Sequence, residues 1–262
     1  MGQERIIHAA LLGAGTVGSG VYKLVKDLEE EIVSKTGARL VVDKILVRDT
    51  TKAREGIPSE LLIDRWDEIL NDPKIEIVIE VMGGIRPALT WLEEALRAGK
   101  QVVTANKDLL AEYGEQLFDA AEAGKCDLHF EAAVAGAIPI IRPLRQSLAA
   151  SELTEVMGIV NGTTNYILTR MTEDGMGYEE ALALATKLGY AESDPTADVE
   201  GYDAGRKVAI MASIAFNSNV TFSQVYTEGI THITAEDVLP GIQLQGDIQR
   251  CLHGRDHKDH LR

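Results

Sequence analysis

Ile6-Ile7-His8-Ala9-Ala10-Leu11-Leu12-Gly13-Ala14-Gly15-Thr16-Val17-Gly18 is the stretch on which the fold turns. A short apolar run of the kind that forms a buried strand passes directly into G-x-G-x-x-G. Helical spacing follows over 17–35, with Val21, Leu24, Val25, Leu28 and Ile32 on one face. The glycine pattern alone is common. Between a strand and a helix, near the start of the chain, it has the context that a dinucleotide pyrophosphate needs. Gly13 permits the tight turn, Gly15 lets a pyrophosphate approach the backbone, and Gly18 lets helix and strand pack closely. Thr16 and Val17 open the helix, whose free N–H groups and partial positive charge face the phosphates.

Outward from this stretch, strands and helices alternate. The β-branched runs 40–47, 75–81, 101–104 and 127–132 predict further strands. Helices are predicted over 88–98, with Gly99 as a stop, and over 109–123, ended by Gly124. This is the α/β pattern of a doubly wound parallel sheet of Rossmann type. The rhythm changes near residue 135. A helix over 138–148, a strand over 153–160 and helices over 165–173, 178–188 and 198–216 predict a second domain of α+β type. The expected division is an NAD(P)-binding domain over 1–135, a second domain over 136–238, and a tail without amphipathic period over 239–262.

Composition narrows the function classes. In 262 residues, 45% are apolar and 26% charged, ordinary values for a globular chain. Lys and Arg number 26 against 41 Asp and Glu, a formal net charge of −15. Such a surface repels phosphate backbones, so no nucleic-acid partner is expected. No apolar run is long enough to span a bilayer, and Met1 to Arg5 leads straight into a strand, so neither membrane nor secretory signal is expected. The two cysteines, Cys126 and Cys251, form no disulfide framework. The expected compartment is the cytoplasm.

Several residues carry chemistry. The second strand ends Val47-Arg48-Asp49. An acidic residue there reads the ribose hydroxyls of NAD, and an arginine the 2′-phosphate of NADP. Both are present; Arg48, followed by Lys52 and Arg54, leans to NADP. Lys107, in Thr104-Ala105-Asn106-Lys107, falls at the carboxyl end of a predicted strand, where doubly wound sheets bind ligands. The segment ESDPTADVEGYDAGRK (192–207) holds Asp203 and Lys207 four residues apart, acid first. By spacing alone that pair reads as an ordinary surface i, i+4 ion pair. Gly201 and Gly205 around it weaken a helix and suggest close approach by something else. Glu131 to Pro139 passes from a strand end into a small-residue turn, which either packs closely or aims carbonyl oxygens at a hard cation such as sodium.

Together, the Gly13 loop, TANKDLLA (104–111), EAAVAGAIPIIRPL (131–144), GIVNGTTNYIL (158–168) and GYAESDPTADVEGYDAGRK (189–207) resemble the homoserine dehydrogenases. That resemblance implies NAD(P)H-dependent interconversion of L-aspartate 4-semialdehyde and L-homoserine, on the route to threonine and methionine, by a homodimer. It implies Lys107 and Lys207 as catalytic lysines. It implies Glu192, Asp198 and Asp203 as carboxylates binding an amino-acid substrate, with Gly162, Thr163 and Tyr190 lining the pocket. It implies a monovalent cation at Glu131, Val134, Gly136 and Ile138, largely through carbonyl oxygens.

The resemblance holds through about Val238 and then departs. The family continues with a helix and a Gly-Tyr-x-Ile-Lys-Leu-like strand, whereas this chain reads LPGIQLQGDIQRCLHGRDHKDHLR. The expectation is a truncated or altered terminus, an incomplete dimer sheet and a marginally stable chain. A solvated terminus is the ordinary reading of the tail, with a transition-metal site from Cys251, His253, His257 and His260 as the alternative. Two other functions compete: a related amino-acid dehydrogenase, and a non-catalytic dinucleotide-binding protein.

Overall fold

The computed structural model describes residues 5–234 and 236–238, which form two compact units divided between Ala137 and Ile138. The tail reading, including Cys251 and the three histidines, lies outside the described residues.

The first unit is a six-stranded sheet in the order β3-β2-β1-β4-β5-β6. Its strands are β1 (Arg5–Leu12), β2 (Ala38–Leu46), β3 (Leu62–Ile63), β4 (Ile75–Glu80), β5 (Gln101–Thr104) and β6 (Leu128–His129). Every pairing is parallel. The strand order reverses between β1 and β4, so the ligand crevice of this topology opens beyond Leu12 and Glu80, which are register partners. The helices are α1 (Thr16–Asp27), α2 (Glu29–Thr36), α3 (Asp67–Leu70), α4 (Ala88–Arg97) and α5 (Lys107–Gly124). Val21, Tyr22 and Val25 of α1 pack against Leu11, Val42 and Ile45 of the sheet. Leu89, Leu92 and Leu96 of α4 and Leu109 and Leu117 of α5 are fully buried. Each such side chain contributes roughly 1.5–3 kcal/mol on leaving water.

Differences from the sequence expectation have local causes. The helix expected over 17–35 is two helices meeting at Leu28. Glu29, Glu30 and Glu31 thereby stand in the first turn of α2, where the helix dipole favours acids, instead of the interior of one long helix. Val21 and Val25 face the core, but Leu24 and Leu28 are exposed. Strand β3 is two residues long and carries no periodic signal. Gly124 is the last residue of α5, but the left-handed cap is Lys125; an added Cβ at Gly124 would overlap the Leu96 carbonyl of α4.

The second unit holds α6 (Gly162–Asp174), α7 (Tyr178–Lys187), α8 (Thr196–Val199) and α9 (Tyr202–Ala215). Ile167, Met171, Ala181, Ala185, Val199 and Ile230 form its core. The helix expected over 198–216 is interrupted at Gly201, which separates α8 from α9. The helix expected over 138–148 is reduced to a wide π-type turn, Pro143–Ser147. The strand expected over 153–160 is irregular, with Met157 in an isolated bridge and Met157 and Ile159 exposed. Its β-branched composition has no strand to pair with among the described residues. Nor is any described helix long and apolar enough to cross a membrane.

Candidate functional site

In the first unit the glycine loop has the geometry its spacing implied. Gly13 sits at φ +99°, a conformation that favours glycine, and its N–H donates to the Leu46 carbonyl at 3.0 Å. An added Cβ on Gly18 would overlap the Gly13 carbonyl oxygen, so the third glycine is required by packing. Gly15, the N-cap of α1, has open space where its Cβ would stand. No side chain caps α1 and no acid lies in its first turn, so Thr16, Val17 and their N–H groups stand at an exposed, electropositive helix start.

The residues of the two cofactor alternatives follow the end of β2. Asp49 accepts at one oxygen from the Thr51 N–H (2.9 Å) and the Thr51 hydroxyl (2.6 Å). These bonds hold its carboxyl below the usual aspartate range. Arg54 donates to the Asp49 and Lys52 carbonyls, folding the turn on itself. Arg48 and Lys52 remain exposed.

Lys107 is the first residue of α5, whose N-cap, Asn106, accepts from the Leu109 N–H at 3.1 Å. It therefore sits at the carboxyl edge of the sheet, just beyond β5. The turn at 131–138 begins as a tight 3-10 turn, Glu131–Ala133, followed by buried Val134. Ala135 and Ala137 both adopt left-handed backbone conformations, at φ +51° and +67°. Non-glycine residues held there are strained. Gly136 is exposed, and Ile138, also exposed, is the first residue of the second unit.

The second unit gathers most of its expected residues around one that sequence reasoning missed. Asn161, only 4% exposed, is the N-cap of α6 and accepts from the Thr164 N–H at 2.8 Å. Its amide nitrogen donates to Asp198 Oδ1 at 2.7 Å and to Asp203 Oδ2 at 2.8 Å. Lys207 Nζ donates to that same Asp203 oxygen and to the Val160 carbonyl, each at 2.6 Å. The Asp203–Lys207 pair is therefore no surface ion pair: the two side chains are 9% and 16% exposed. Thr163 Oγ1 donates to the Tyr190 carbonyl at 2.8 Å, and Tyr190 stacks on Tyr166 at 4.6 Å. Gly162 opens α6 with free space about it. Glu192 stands exposed on the 188–195 segment, outside this hydrogen-bonded group. The Asn-Gly-Thr-Thr order was a readable N-cap signal for Asn161.

The glycines flanking the pair confirm the expected close approach. A Cβ on Gly201 would lie 2.9 Å from the Glu228 carbonyl oxygen. One on Gly205 would lie 2.8 Å from Phe222 Cε2 and overlap the Thr227 methyl. The 222–228 segment thus lies directly on α9 behind Asp203 and Lys207. Among the described residues no group of three or more His, Cys, Asp and Glu could hold a metal ion.

Comparison with known proteins agrees across both units. Residues 13–131 match the family described as homoserine dehydrogenase, NAD binding domain, and residues 139–252 the family described as homoserine dehydrogenase. That second match runs beyond Val238, where the resemblance was expected to stop. A homoserine dehydrogenase of Bacillus subtilis is 47% identical over 235 residues, which cover 89% of this chain and 54% of that one. The chain spans about half the length of the curated relatives it matches. A homoserine dehydrogenase structure from Thiobacillus denitrificans superposes with a TM-score of 0.83 at 44% identity, over 89% of this chain and 54% of that one. An Archaeoglobus fulgidus protein provisionally named homoserine dehydrogenase is 34% identical, with a TM-score of 0.76, covering 88% and 75%. A hyperthermophilic archaeal homoserine dehydrogenase in complex with NADPH has a TM-score of 0.71 at 26% identity, over 88% and 76%.

Proposed function

The chain belongs to the homoserine dehydrogenase family, and from that membership we propose that it interconverts L-aspartate 4-semialdehyde and L-homoserine with a nicotinamide dinucleotide. The observation that carries this reading is the buried Asn161–Asp198–Asp203–Lys207 group. When bound, the dinucleotide supplies or accepts the hydride. The chain supplies the rest. Reduction of an aldehyde develops charge on its oxygen, and a lysine ammonium both stabilises that alkoxide and delivers its proton. Lys207 is assigned that role. Asp203 and the Val160 carbonyl aim its Nζ, and Asn161 holds Asp203 in turn. Asp198, Asp203 and exposed Glu192 are assigned to the substrate α-ammonium, with Gly162, Thr163 and Tyr190 beside them. Lys107, at the sheet edge, is assigned to the dinucleotide side of the reacting carbonyl.

NADP is the proposed dinucleotide. One Asp49 oxygen is engaged by Thr51, and the cations Arg48 and Lys52 stand exposed on either side of that turn. The archaeal relative bound to NADPH supports this choice. Sodium, or another monovalent cation, is proposed at Glu131, Val134, Gly136 and Ile138, largely through backbone carbonyl oxygens, as the resemblance implies. A homodimer is proposed as the assembly; exposed Met157 and Ile159 in the 153–160 segment support it. A cytoplasmic place in threonine and methionine synthesis is proposed with it.

The test is to mix the purified chain with aspartate semialdehyde and NADPH, then NADH, and follow the nicotinamide absorbance. Oxidation of either establishes the activity on this chain. Dinucleotide binding without oxidation would instead identify a non-catalytic dinucleotide-binding protein.

A further inference from the structure

Glu80 ends β4 on the strand beside which the sheet order reverses, and its side chain is fully buried. Its register partners are Leu12, the last residue before the Gly13 loop, and Thr104 of β5. A buried carboxylate costs several kcal/mol in lost hydration unless donors replace the water. Here three donors do. The N–H groups of Met82 and Gly83 donate to Oε1 at 2.8 and 3.1 Å, and the Thr104 hydroxyl donates to Oε2 at 2.6 Å.

Those donors belong to two different turns. Met82, Gly83 and Gly84 form the turn after β4, with Gly83 and Gly84 at φ +73° and +75°. This turn lies against the phosphate loop: a Cβ on Gly13 would stand 3.0 Å from Met82 Cγ and 3.3 Å from Met82 N. Thr104 begins the turn that carries Lys107. Its Oγ1 accepts from the Asn106 N–H at 3.0 Å, and Asn106 Nδ2 donates to the Gly84 carbonyl at 2.6 Å. The bonds close a ring: Glu80 to Thr104, Thr104 to Asn106, Asn106 to Gly84, and Gly83 back to Glu80. Lys107 follows Asn106 directly.

We propose that Glu80 is a positioning residue that locks the Lys107-bearing turn to the turn lining the dinucleotide crevice, so that Lys107 meets the reacting end of the bound dinucleotide. This rests on the reading that Lys107 serves the dinucleotide site. A carboxylate suits the task because it accepts at both oxygens and donates at neither. The isosteric amide is a poorer substitute: one end becomes a donor, so Thr104 Oγ1 must accept from it as well as from the Asn106 N–H, and the hydroxyl proton loses its carboxylate acceptor. The pyrophosphate half of the site also has contacts outside the ring: the Gly13 N–H donates to the Leu46 carbonyl, and Gly18 packs on the Gly13 carbonyl.

The experiment uses the full chain with two readouts. In Glu80→Gln, turnover is expected to fall about 10- to 100-fold while the dinucleotide Kd stays within about threefold of the parent. Thr104→Val is expected to do the same, and Thr104→Ser, which keeps the hydroxyl, to recover most of the loss. The second readout needs no turnover: acylation of the Lys107 amine by acetic anhydride, followed by peptide mass spectrometry. NADPH is expected to slow this labelling in the parent chain and to lose most of that protection in Glu80→Gln at equal saturation. Undiminished protection in Glu80→Gln overturns the proposal, whatever the melting temperature does. Should the parent chain lack turnover, the activity reading fails, and the labelling comparison still decides the role of Glu80.

Discussion

Lys207 donates to Asp203 at 2.6 Å from one turn further along α9, and Asn161 donates to the same carboxylate oxygen from the cap of another helix. Removing the lysine takes the cation from a nearly buried carboxylate, a change that costs about 3–5 kcal/mol in comparable buried pairs. Lys207→Met is therefore expected to lower stability as well as turnover. Lys207→Arg separates the two: it keeps the cation and most of the stability but moves the donor atom. Its turnover with aspartate semialdehyde is expected to fall at least about 100-fold with little change in dinucleotide affinity. Near-parental turnover in Lys207→Arg would remove Lys207 as the proton donor.

Arg48 and Asp49 can be tested independently because the Asp49 carboxylate is already bonded to Thr51. Arg48→Ser is expected to weaken NADPH relative to NADH by about tenfold, the loss of one charge-assisted phosphate contact. The ratio of the two Kd values, from nicotinamide fluorescence, measures it. An unchanged ratio would place the 2′-phosphate elsewhere.

Asp72 predicts a pH dependence. Lys44 Nζ donates to its carboxylate at 2.9 Å and the Lys74 N–H at 3.0 Å, and the Lys44 bond is the main cause of its lowered pKa. The folded value lies below the unfolded one of about 3.9. The contribution to stability is therefore complete above the unfolded value and is lost as pH falls through the folded value. Urea midpoints of the parent and Lys44→Met should differ by a constant gap above pH of about 5 and converge in acid. A gap that widens on acidification would contradict the sign.

Gly205 predicts a contrast between two helical glycines. Alanine there would meet Phe222 and Thr227, whereas alanine at Gly20, within α1, would meet nothing within 4 Å. Gly205→Ala is expected to cost about 1–3 kcal/mol through overpacking. Gly20→Ala is expected to add about 0.5–1 kcal/mol through helix propensity. Denaturant midpoints of the two variants should move in opposite directions.

What was legible in the sequence follows from range. The Gly13 loop, β5 and the limits of α4 are marked by local composition, a glycine pattern, a β-branched run and the Gly99 stop, and their residues announced them. Gly201 and Gly205 announced a close approach but not its partner, because Glu228 and Phe222 are distant in sequence. Glu80 gave no signal, since a Glu closing a β-branched strand looks the same whether it points to solvent or to Thr104. The Asp203–Lys207 spacing was equally mute about burial, which depends on Val160 and Asn161 more than forty residues upstream. The 153–160 run had strand composition, and composition cannot supply a neighbouring strand.

Gly15 and Gly18 should fail differently when each is changed to alanine. Gly15 has an ordinary extended backbone (φ −81°, ψ −161°) and open space at its Cβ position. Folding should therefore be indifferent to Gly15→Ala. The methyl would stand where the pyrophosphate approaches the start of α1, so dinucleotide Kd is expected to rise by at least about tenfold at an unchanged melting temperature. Gly18→Ala puts its methyl into the Gly13 carbonyl, so it must move the loop or the helix, and stability and binding should fall together. Calorimetric titration with NADPH and a thermal melt on each variant give the four values. If Gly15→Ala binds as tightly as the parent, no pyrophosphate crosses that glycine, and the open space beside α1 is only a gap in the surface.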